Sequence, residues 1–221
     1  MQQYTYLLID FCTVIICFIF SFHPKIKFYR HFTAFLKASC IVTSVFIIWD
    51  IWFTQRGVWW FNDTYLLGIR VYNLPVEEIL FFFCIPFSCI FTYFCIDKFF
   101  TLDWNPLPEK AFVCVSIISS LVIAFYFHDK IYTLVTFAST AVSIFNLYFV
   151  LKSRWIGKAS LIYLLLMPGF FAVNGILTGT GLESPVVNYN PQDFLGIRML
   201  TIPIEDTVYG YEMILWNIFL F

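Results

Sequence analysis

The chain has 221 residues and a formal net charge of −1; 61% of its residues are hydrophobic, 22% are aromatic and only 12% are charged. One soluble core could not hide so much apolar surface, so this composition predicts an integral membrane protein whose main surroundings are the lipid bilayer. The near-neutral charge offers no basic field to nucleic acid, and we expect no nucleic-acid partner.

Seven stretches of the chain approach the roughly 20 apolar residues that a membrane-spanning helix needs. They lie near Tyr4–Phe22, Ala34–Ile51, Pro75–Ile96, Ala111–Phe127, Ile131–Leu151, Ala159–Ile176 and Pro203–Phe221. We therefore predict an all-α integral membrane protein with seven transmembrane helices.

An internal duplication organises these spans. The segment Phe61–Glu78 reappears without a gap 128 residues later as Tyr189–Asp206, with seven of 18 positions identical. The same offset maps span 1 onto span 5, span 2 roughly onto span 6 and span 3 onto span 7, and it leaves span 4 without a partner. We expect a first three-helix repeat over residues 1–100, a connector helix within 101–129 and a second three-helix repeat over 130–221.

The connector helix sets the relative direction of the two repeats. A three-span unit followed directly by its copy would be inverted, whereas one extra crossing makes the two copies parallel and places both repeated segments on the same membrane face. Loops and span ends on the opposite face hold nine Lys and Arg residues, against four on the face of the repeated segments. The positive-inside rule then predicts a multi-pass protein of the cytoplasmic (inner) membrane, with its N-terminus outside and its C-terminus in the cytoplasm.

The best-preserved part of the duplication is a Pro-x-acid-acid element that enters an apolar helix. Pro75 and Pro203 can each begin a helix, because the missing N–H of proline has no partner there in any case. The carboxyl groups of the following first turns are those of Glu77, Glu78, Glu205 and Asp206. If the parallel copies meet at one cleft, these four groups cannot all ionise, and we expect at least one to hold a proton near neutral pH. The alternative is that they act only as partners of the helix dipole.

Other polar residues at the depth of the motif extend the candidate site. Asp50, at the end of span 2, corresponds approximately to Asn174, with the following loop about four residues longer in the second copy. We group both with the four acids as candidate catalytic residues, since polar groups inside membrane spans are candidates for function. Candidates for contacting the substrate or tuning the charge of the site are Arg70, Arg198, Asn62, Asn190, Glu212 and Tyr209. Gly68 and Gly196 are expected to be turn residues.

Several motifs for cofactors are missing from the sequence. It contains no G-x-G-x-x-G or Walker motif, and span 7 contains no lysine that could hold retinal. The seven cysteines all lie in apolar runs without a C-x-x-C pair, and the three histidines are scattered on loops. We therefore expect neither a cofactor nor a metal site.

Each copy has Pro-x-Glu-Glu or Pro-x-Glu-Asp at the start of its last helix, and the first copy also has a W-D-x-W stretch upstream. This combination resembles one known family. It is the flavin-independent lycopene cyclase domain family, which occurs as two small bacterial subunits, as a fused chain and as the N-terminal part of fungal proteins. The tightest matches are LPVEE at Leu74–Glu78 and IPIED at Ile202–Asp206. The resemblance covers nearly the whole chain and implies a fused single chain with both repeats.

This resemblance implies a lycopene β-cyclase of carotenoid biosynthesis, an intramolecular lyase (isomerase) that needs no cofactor. An acid protonates the terminal C=C of lycopene, the nearby alkene attacks the tertiary cation, and a base removes a proton to leave a β-ionone ring. The motif acids would form the donor and acceptor set. The partner would be a lipophilic carotenoid. Association with other carotenoid-pathway enzymes is compatible with this interpretation.

Two alternatives stay open. One is a related carotenoid end-group cyclase that acts on a longer or prenylated substrate or forms a different ring double bond. The other is a small proton-coupled membrane transporter, since carriers also combine internal repeats with carboxyl groups inside the membrane. A carrier should have broken helices and a route to both aqueous faces, whereas a cyclase should have a lipid-accessible apolar tunnel with acids at its end. A scaffold without chemistry would leave the repeated acids unexplained.

Overall fold

The computed structural model describes residues 2–102 and 104–221. Within these ranges the chain forms seven α-helices: α1 (Thr5–Ser21), α2 (Phe32–Arg56), α3 (Val76–Phe99), α4 (Pro106–Tyr126), α5 (Ile131–Phe145), α6 (Ile156–Leu177) and α7 (Ile204–Leu220). A π-helical turn, Asn146–Val150, extends α5. The predicted all-α fold is confirmed.

The helices have the length and surface of membrane spans. In the described ranges, the helical segments that include α1 to α6 are long and apolar enough to cross a bilayer, whereas α7 has 17 residues and carries two acids in its first turn. Large aliphatic side chains face outward: Ile16, Ile48 and Leu165 leave 64%, 68% and 64% of their surface exposed. Such a surface is favourable only in lipid, so the chain is a multi-pass membrane protein.

The two repeats meet through a short antiparallel strand pair. Strand β1 (Trp59–Phe61) pairs with the later strand Val187–Tyr189, which is β4 in chain order, and Trp60 lies opposite its own copy, Asn188. The flanking backbone bonds are reciprocal, because the N–H of Asn62 donates to the carbonyl of Val186 and the N–H of Asn190 donates to the carbonyl of Val58, both at 2.8 Å. Such reciprocal contacts define an approximate two-fold axis that passes between the two strands.

Helices α2 and α6 occupy equivalent positions in the two repeats, but the sequence offset between them differs slightly from 128 residues. The N–H of Val58 donates to the carbonyl of Phe53 at 3.0 Å, and that of Val186 donates to the carbonyl of Leu177 at 2.9 Å. Phe53 and Leu177 are 124 residues apart, four fewer than the offset elsewhere, because the chain between α6 and β4 is that much longer. The approximate correspondence between Asp50 and Asn174 follows from the same offset.

Each Pro-x-acid-acid element follows a tight hairpin. Strands β2 (Arg70–Val71) and β3 (Leu74–Pro75) pair in the first repeat, as do β5 (Arg198–Met199) and β6 (Ile202–Pro203) in the second. Gly68 and Gly196 precede the hairpins with φ of 82° and 78°, a left-handed conformation that glycine adopts without strain. The proline ends the second strand, and the helix begins one residue later than the sequence predicts. Both acids of each motif still lie in the first helical turn.

Candidate functional site

A cavity of about 300 Å³ lies between α1, α3, α6 and α7, with β1 and β4 contributing to its wall. Much of the wall is apolar and aromatic, including Trp59, Phe81 and Phe170. Among the described residues, two carboxyl groups line it: Glu78 from the first repeat and Asp206 from the second. The duplicated motif therefore brings one acid from each copy into one shared chamber.

Glu78 is held by a single phenol. Tyr6 on α1 donates its hydroxyl to Oε2 of Glu78 at 2.6 Å. No hydrogen bond from the described part of the chain reaches Oε1, while the residue as a whole is 9% exposed. One oxygen of Glu78 is therefore available to a molecule in the chamber.

Asp206 is held on both oxygens. The hydroxyl of Tyr132 donates to Oδ1 at 2.6 Å, and that of Tyr189 donates to Oδ2 at 2.7 Å. The two phenol rings lie nearly parallel, with their centroids 6.1 Å apart. Burial raises the pKa of the Tyr189 phenol well above its ordinary value, and the neighbouring Asp206 charge acts in the same direction. The phenol thus keeps its proton and remains a donor.

The first acid of each motif faces the loop that precedes the hairpin. Oε1 of Glu77 accepts the backbone N–H of Leu67 at 2.6 Å. Oε1 of Glu205 accepts the backbone N–H of Leu195 at 2.8 Å and the hydroxyl of Thr133 at 2.6 Å. Both glutamates are fully buried and lie outside the cavity lining, so they hold the loop against the helix start.

The candidates Asp50 and Asn174 occupy different positions relative to the chamber. Oδ1 of Asp50 accepts the indole N–H of Trp59 at 2.5 Å and, more weakly, the hydroxyl of Thr54 at 3.3 Å. Asp50 lies behind Trp59, which lines the cavity in its place. Asn174 itself lines the cavity, and its amide donates to the carbonyl of Phe170 at 3.3 Å.

The two repeated arginines brace their hairpins. Arg70 forms an ion pair with Asp63 at 2.6 Å and donates to the carbonyl of Asn73 at 2.9 Å. Arg198 makes the equivalent bond to the carbonyl of Thr201 at 2.5 Å. In residues 2–102 and 104–221, neither arginine forms an ion pair with a motif acid. The hydrogen bonds of both arginines to backbone carbonyls therefore close the hairpins.

Asn62 and Asn190 shape the loops beside the strand pair. The amide of Asn62 donates to the hydroxyl of Ser184 at 2.9 Å, and the amide of Asn190 donates to the carboxylate of Asp193 at 2.6 Å. Neither asparagine lines the cavity, whereas Tyr209 does. The buried hydroxyl of Tyr209 has no partner in the described chain, so it is free to face a ligand.

Glu212 lies two turns into α7 and binds to α5. It accepts the hydroxyls of Ser139 at 2.7 Å, Thr140 at 3.0 Å and Ser143 at 2.7 Å. It does not line the cavity. These contacts join the first and last helices of the second repeat.

A family model described as lycopene cyclase matches residues 3–96 and 129–221 of the chain. The chain belongs to the lycopene cyclase family. The two matched stretches contain the two repeats, each with its Pro-x-acid-acid element, and the predicted family is confirmed. The protein is accordingly a membrane-embedded carotenoid cyclase. No curated protein and no solved structure matches it.

Sequence reasoning did not find the phenols that hold the acids of this cyclase. The 128-residue offset aligns Tyr132 with Tyr4, but the residue that binds the first-repeat acid is Tyr6, two positions later. Nor does the duplication mark Tyr189, because its copy is Phe61. The packing of α1 and α5 against the motif helices brings Tyr6 and Tyr132 to the carboxyl groups, and strand β4 brings Tyr189.

Among the residues that the structure describes, the two sides of the approximate axis differ at the chamber of the cyclase. Gly210 and Val173 line it, and their counterparts in the other repeat are the larger residues Phe82 and Trp49. Both pack against Phe46, with ring centroids 6.3 and 5.8 Å apart. The space equivalent to the chamber is therefore occupied by aromatic side chains.

Proposed function

We propose that this family member is a lycopene β-cyclase that closes the acyclic ends of lycopene into β-ionone rings. The observation that carries the proposal is one mostly apolar chamber that contains a carboxyl group from each repeat, Glu78 and Asp206. Ring closure adds one proton to the substrate and removes another, so it is redox-neutral. An acid and a base are sufficient for such a reaction, and no cofactor is needed.

The surroundings of the two acids suit a reaction through a carbocation. The chamber is poor in polar groups, which protects a cation from water. The rings of Trp59, Phe81 and Tyr209 line it, and the negative faces of aromatic rings attract a positive charge. A hydrocarbon chain dissolved in the bilayer matches the apolar exterior of the helices that form the chamber.

The remaining candidate residues support these two acids in the proposal. Glu77 and Glu205 are positioning residues, because each fixes the loop next to the cavity acid that follows it in sequence. Asp50 is also a positioning residue, because it accepts the indole N–H of Trp59, and the Trp59 ring lines the cavity. Asn174 remains a candidate for contacting the substrate because it lines the cavity.

The continuity of the acid-bearing helices favours an enzyme over a proton-coupled transporter. Helices α3 and α7 run unbroken over Val76–Phe99 and Ile204–Leu220, with the acids at their first turns. Carriers place coupling groups at interrupted helices near the bilayer midplane. We further propose the orientation that the loop charges predict, with the N-terminus outside and the C-terminus in the cytoplasm.

Expression in bacterial cells that accumulate lycopene tests the function, with chromatographic separation of the pigments. The wild-type chain should convert lycopene into ring-bearing carotenoids. Glu78→Gln and Asp206→Asn should each lower the rate by about 10²- to 10⁴-fold, the usual contribution of a general acid or base. Glu183→Gln, at an exposed position, serves as the matched control. Unchanged lycopene in cells that hold well-folded wild-type protein would contradict the proposal.

A further inference from the structure

The two cavity acids come from equivalent positions but have unequal surroundings. Glu78 receives one phenol hydrogen bond and Asp206 receives two. The second donor to Asp206 is Tyr189, whose counterpart in the first repeat is Phe61, a cavity residue without a hydroxyl. The difference between Phe61 and Tyr189 therefore gives Asp206 a hydrogen-bond donor that Glu78 lacks.

Hydrogen bonding decides which acid carries the charge. Two carboxyl groups in one apolar chamber cannot both ionise at low cost, so they share one negative charge between them. Hydrogen bonds donated by hydroxyl groups stabilise a carboxylate and strengthen when the acceptor is charged. Asp206, with a donor on each oxygen, is the better place for the charge, and the unpartnered oxygen of Glu78 is the better place for the proton.

From these contacts we infer that Glu78 donates the proton that starts cyclisation and that Asp206 is the base that ends it. This inference rests on the proposed cyclase function and assigns the roles within it. Tyr132 and Tyr189 are positioning residues, since they act through Asp206.

The assigned steps balance in protons and electrons. The O–H bond of Glu78 breaks as a C–H bond forms on the terminal alkene, which leaves a tertiary cation. The electron pair of the neighbouring alkene forms the ring C–C bond and moves the cation into the ring. Asp206 then takes a ring proton as the new C=C forms. One proton has passed from Glu78 to Asp206, and its return restores both groups for the next turnover.

Reaction in D₂O separates the two roles. The full-length protein is reconstituted in liposomes with lycopene, and products and recovered substrate are analysed by mass spectrometry. The wild type should place one deuterium in each ring formed. Glu78→Gln should form rings and take up deuterium about 10²- to 10⁴-fold more slowly than the wild type, because an amide is a poor proton donor. Asp206→Asn should still deliver the proton and should give deuterated products with a displaced ring double bond, because the carboxylate left on Glu78 then takes the proton from another ring carbon.

A reciprocal pair of phenol variants supplies the second test, since each changes one hydroxyl group. Tyr189→Phe reproduces the first-repeat residue and should lower kcat roughly 10- to 100-fold, the value of one hydrogen bond to a charged group, with KM little changed. It should also raise the share of displaced double bonds. Phe61→Tyr places a phenol on the Glu78 side and should slow ring formation without changing the ring isomer. A merely structural role of these positions would not alter the isomer ratio.

The outcomes distinguish the role assignment from the function itself. If the wild type forms no rings, the proposed function fails. If the wild type forms rings but Asp206→Asn gives no deuterium while Glu78→Gln does, the roles are reversed and the assignment is overturned. Identical deuterium patterns in the two variants, or equal isomer ratios in Tyr189→Phe and Phe61→Tyr, would overturn it as well.

Discussion

Glu205 accepts the backbone N–H of Leu195 at 2.8 Å, across the nine intervening residues that contain the whole β5–β6 hairpin. Glu77 makes the equivalent bond to Leu67 in the first repeat. The first acid of the motif thus fixes the position of the chain that leads into its own helix. The second acid, one residue later, points into the chamber.

This contact predicts a difference between two substitutions of Glu205. Glu205→Ala leaves the Leu195 N–H and the Thr133 hydroxyl without an acceptor, which costs about 1–3 kcal/mol for each buried group left unpaired. Glu205→Gln keeps an acceptor oxygen and should be much milder. We expect the Tm in detergent to fall in the order wild type, Gln, Ala. A loss of activity in Glu205→Gln as large as in Asp206→Asn would contradict the positioning role.

The hydrogen bond between Trp59 and Asp50 should contribute to stability, and the neighbouring Trp60 provides a control substitution. Trp59→Phe removes the indole N–H from Asp50, which is 1% exposed, and leaves that carboxyl group with one weak donor, Thr54. The free energy of unfolding should decrease by about 1–3 kcal/mol, the cost of an unsatisfied buried polar group. Trp60→Phe should have little effect because Trp60 is 48% exposed. Equal thermal unfolding curves for the two variants would refute the role of this bond.

The size of the chamber depends on Gly210. A Cβ atom at this position would lie 3.0 Å from the hydroxyl of Tyr163, whereas a Cβ atom at Gly169, on the same cavity wall, would have no neighbour within 4 Å. Gly210→Ala should therefore impair activity more than Gly169→Ala does. Gly210→Phe, which copies the first-repeat residue Phe82, should abolish ring formation in a protein that still folds. Full activity of Gly210→Phe would show that the substrate does not occupy this chamber.

Glu212 should affect stability without affecting the product. Glu212→Leu leaves the three hydroxyl groups of α5 without their acceptor and should lower the Tm. Glu212→Gln should restore part of the loss, since an amide oxygen accepts hydrogen bonds. The ratio of ring isomers should equal that of the wild type in both variants. A changed ratio would give Glu212 a part in the chemistry.

Much of this architecture could be predicted from the sequence because the duplication constrains it. The 128-residue offset and the unpaired fourth span predict parallel copies, and in the structure the Phe61 and Tyr189 segments indeed lie side by side at one end of the bundle. The positions of Glu78 and Asp206 in a first helical turn also follow from the prolines before them.

The sequence could not predict which of the two adjacent acids in each motif faces the chamber. Successive residues on a helix point about 100° apart, so which acid of a pair faces a neighbouring helix depends on the rotation of the helix in the bundle. That rotation comes from the packing of α1 and α5, which also places Tyr6 and Tyr132. The motif alone does not distinguish the position of Glu77 from that of Glu78.

The aromatic residues Phe82 and Trp49 fill the space equivalent to the chamber. They therefore affect how many times a substrate molecule must bind to the enzyme. Under the proposed function, a polyene with two identical termini meets one reaction chamber in the described part of each protein molecule. For both termini to react at this chamber, the half-converted pigment must withdraw into the lipid, reverse its direction and be captured a second time. The ratio of one-ringed to two-ringed pigment then reflects competition between fresh and half-converted molecules for the same chamber.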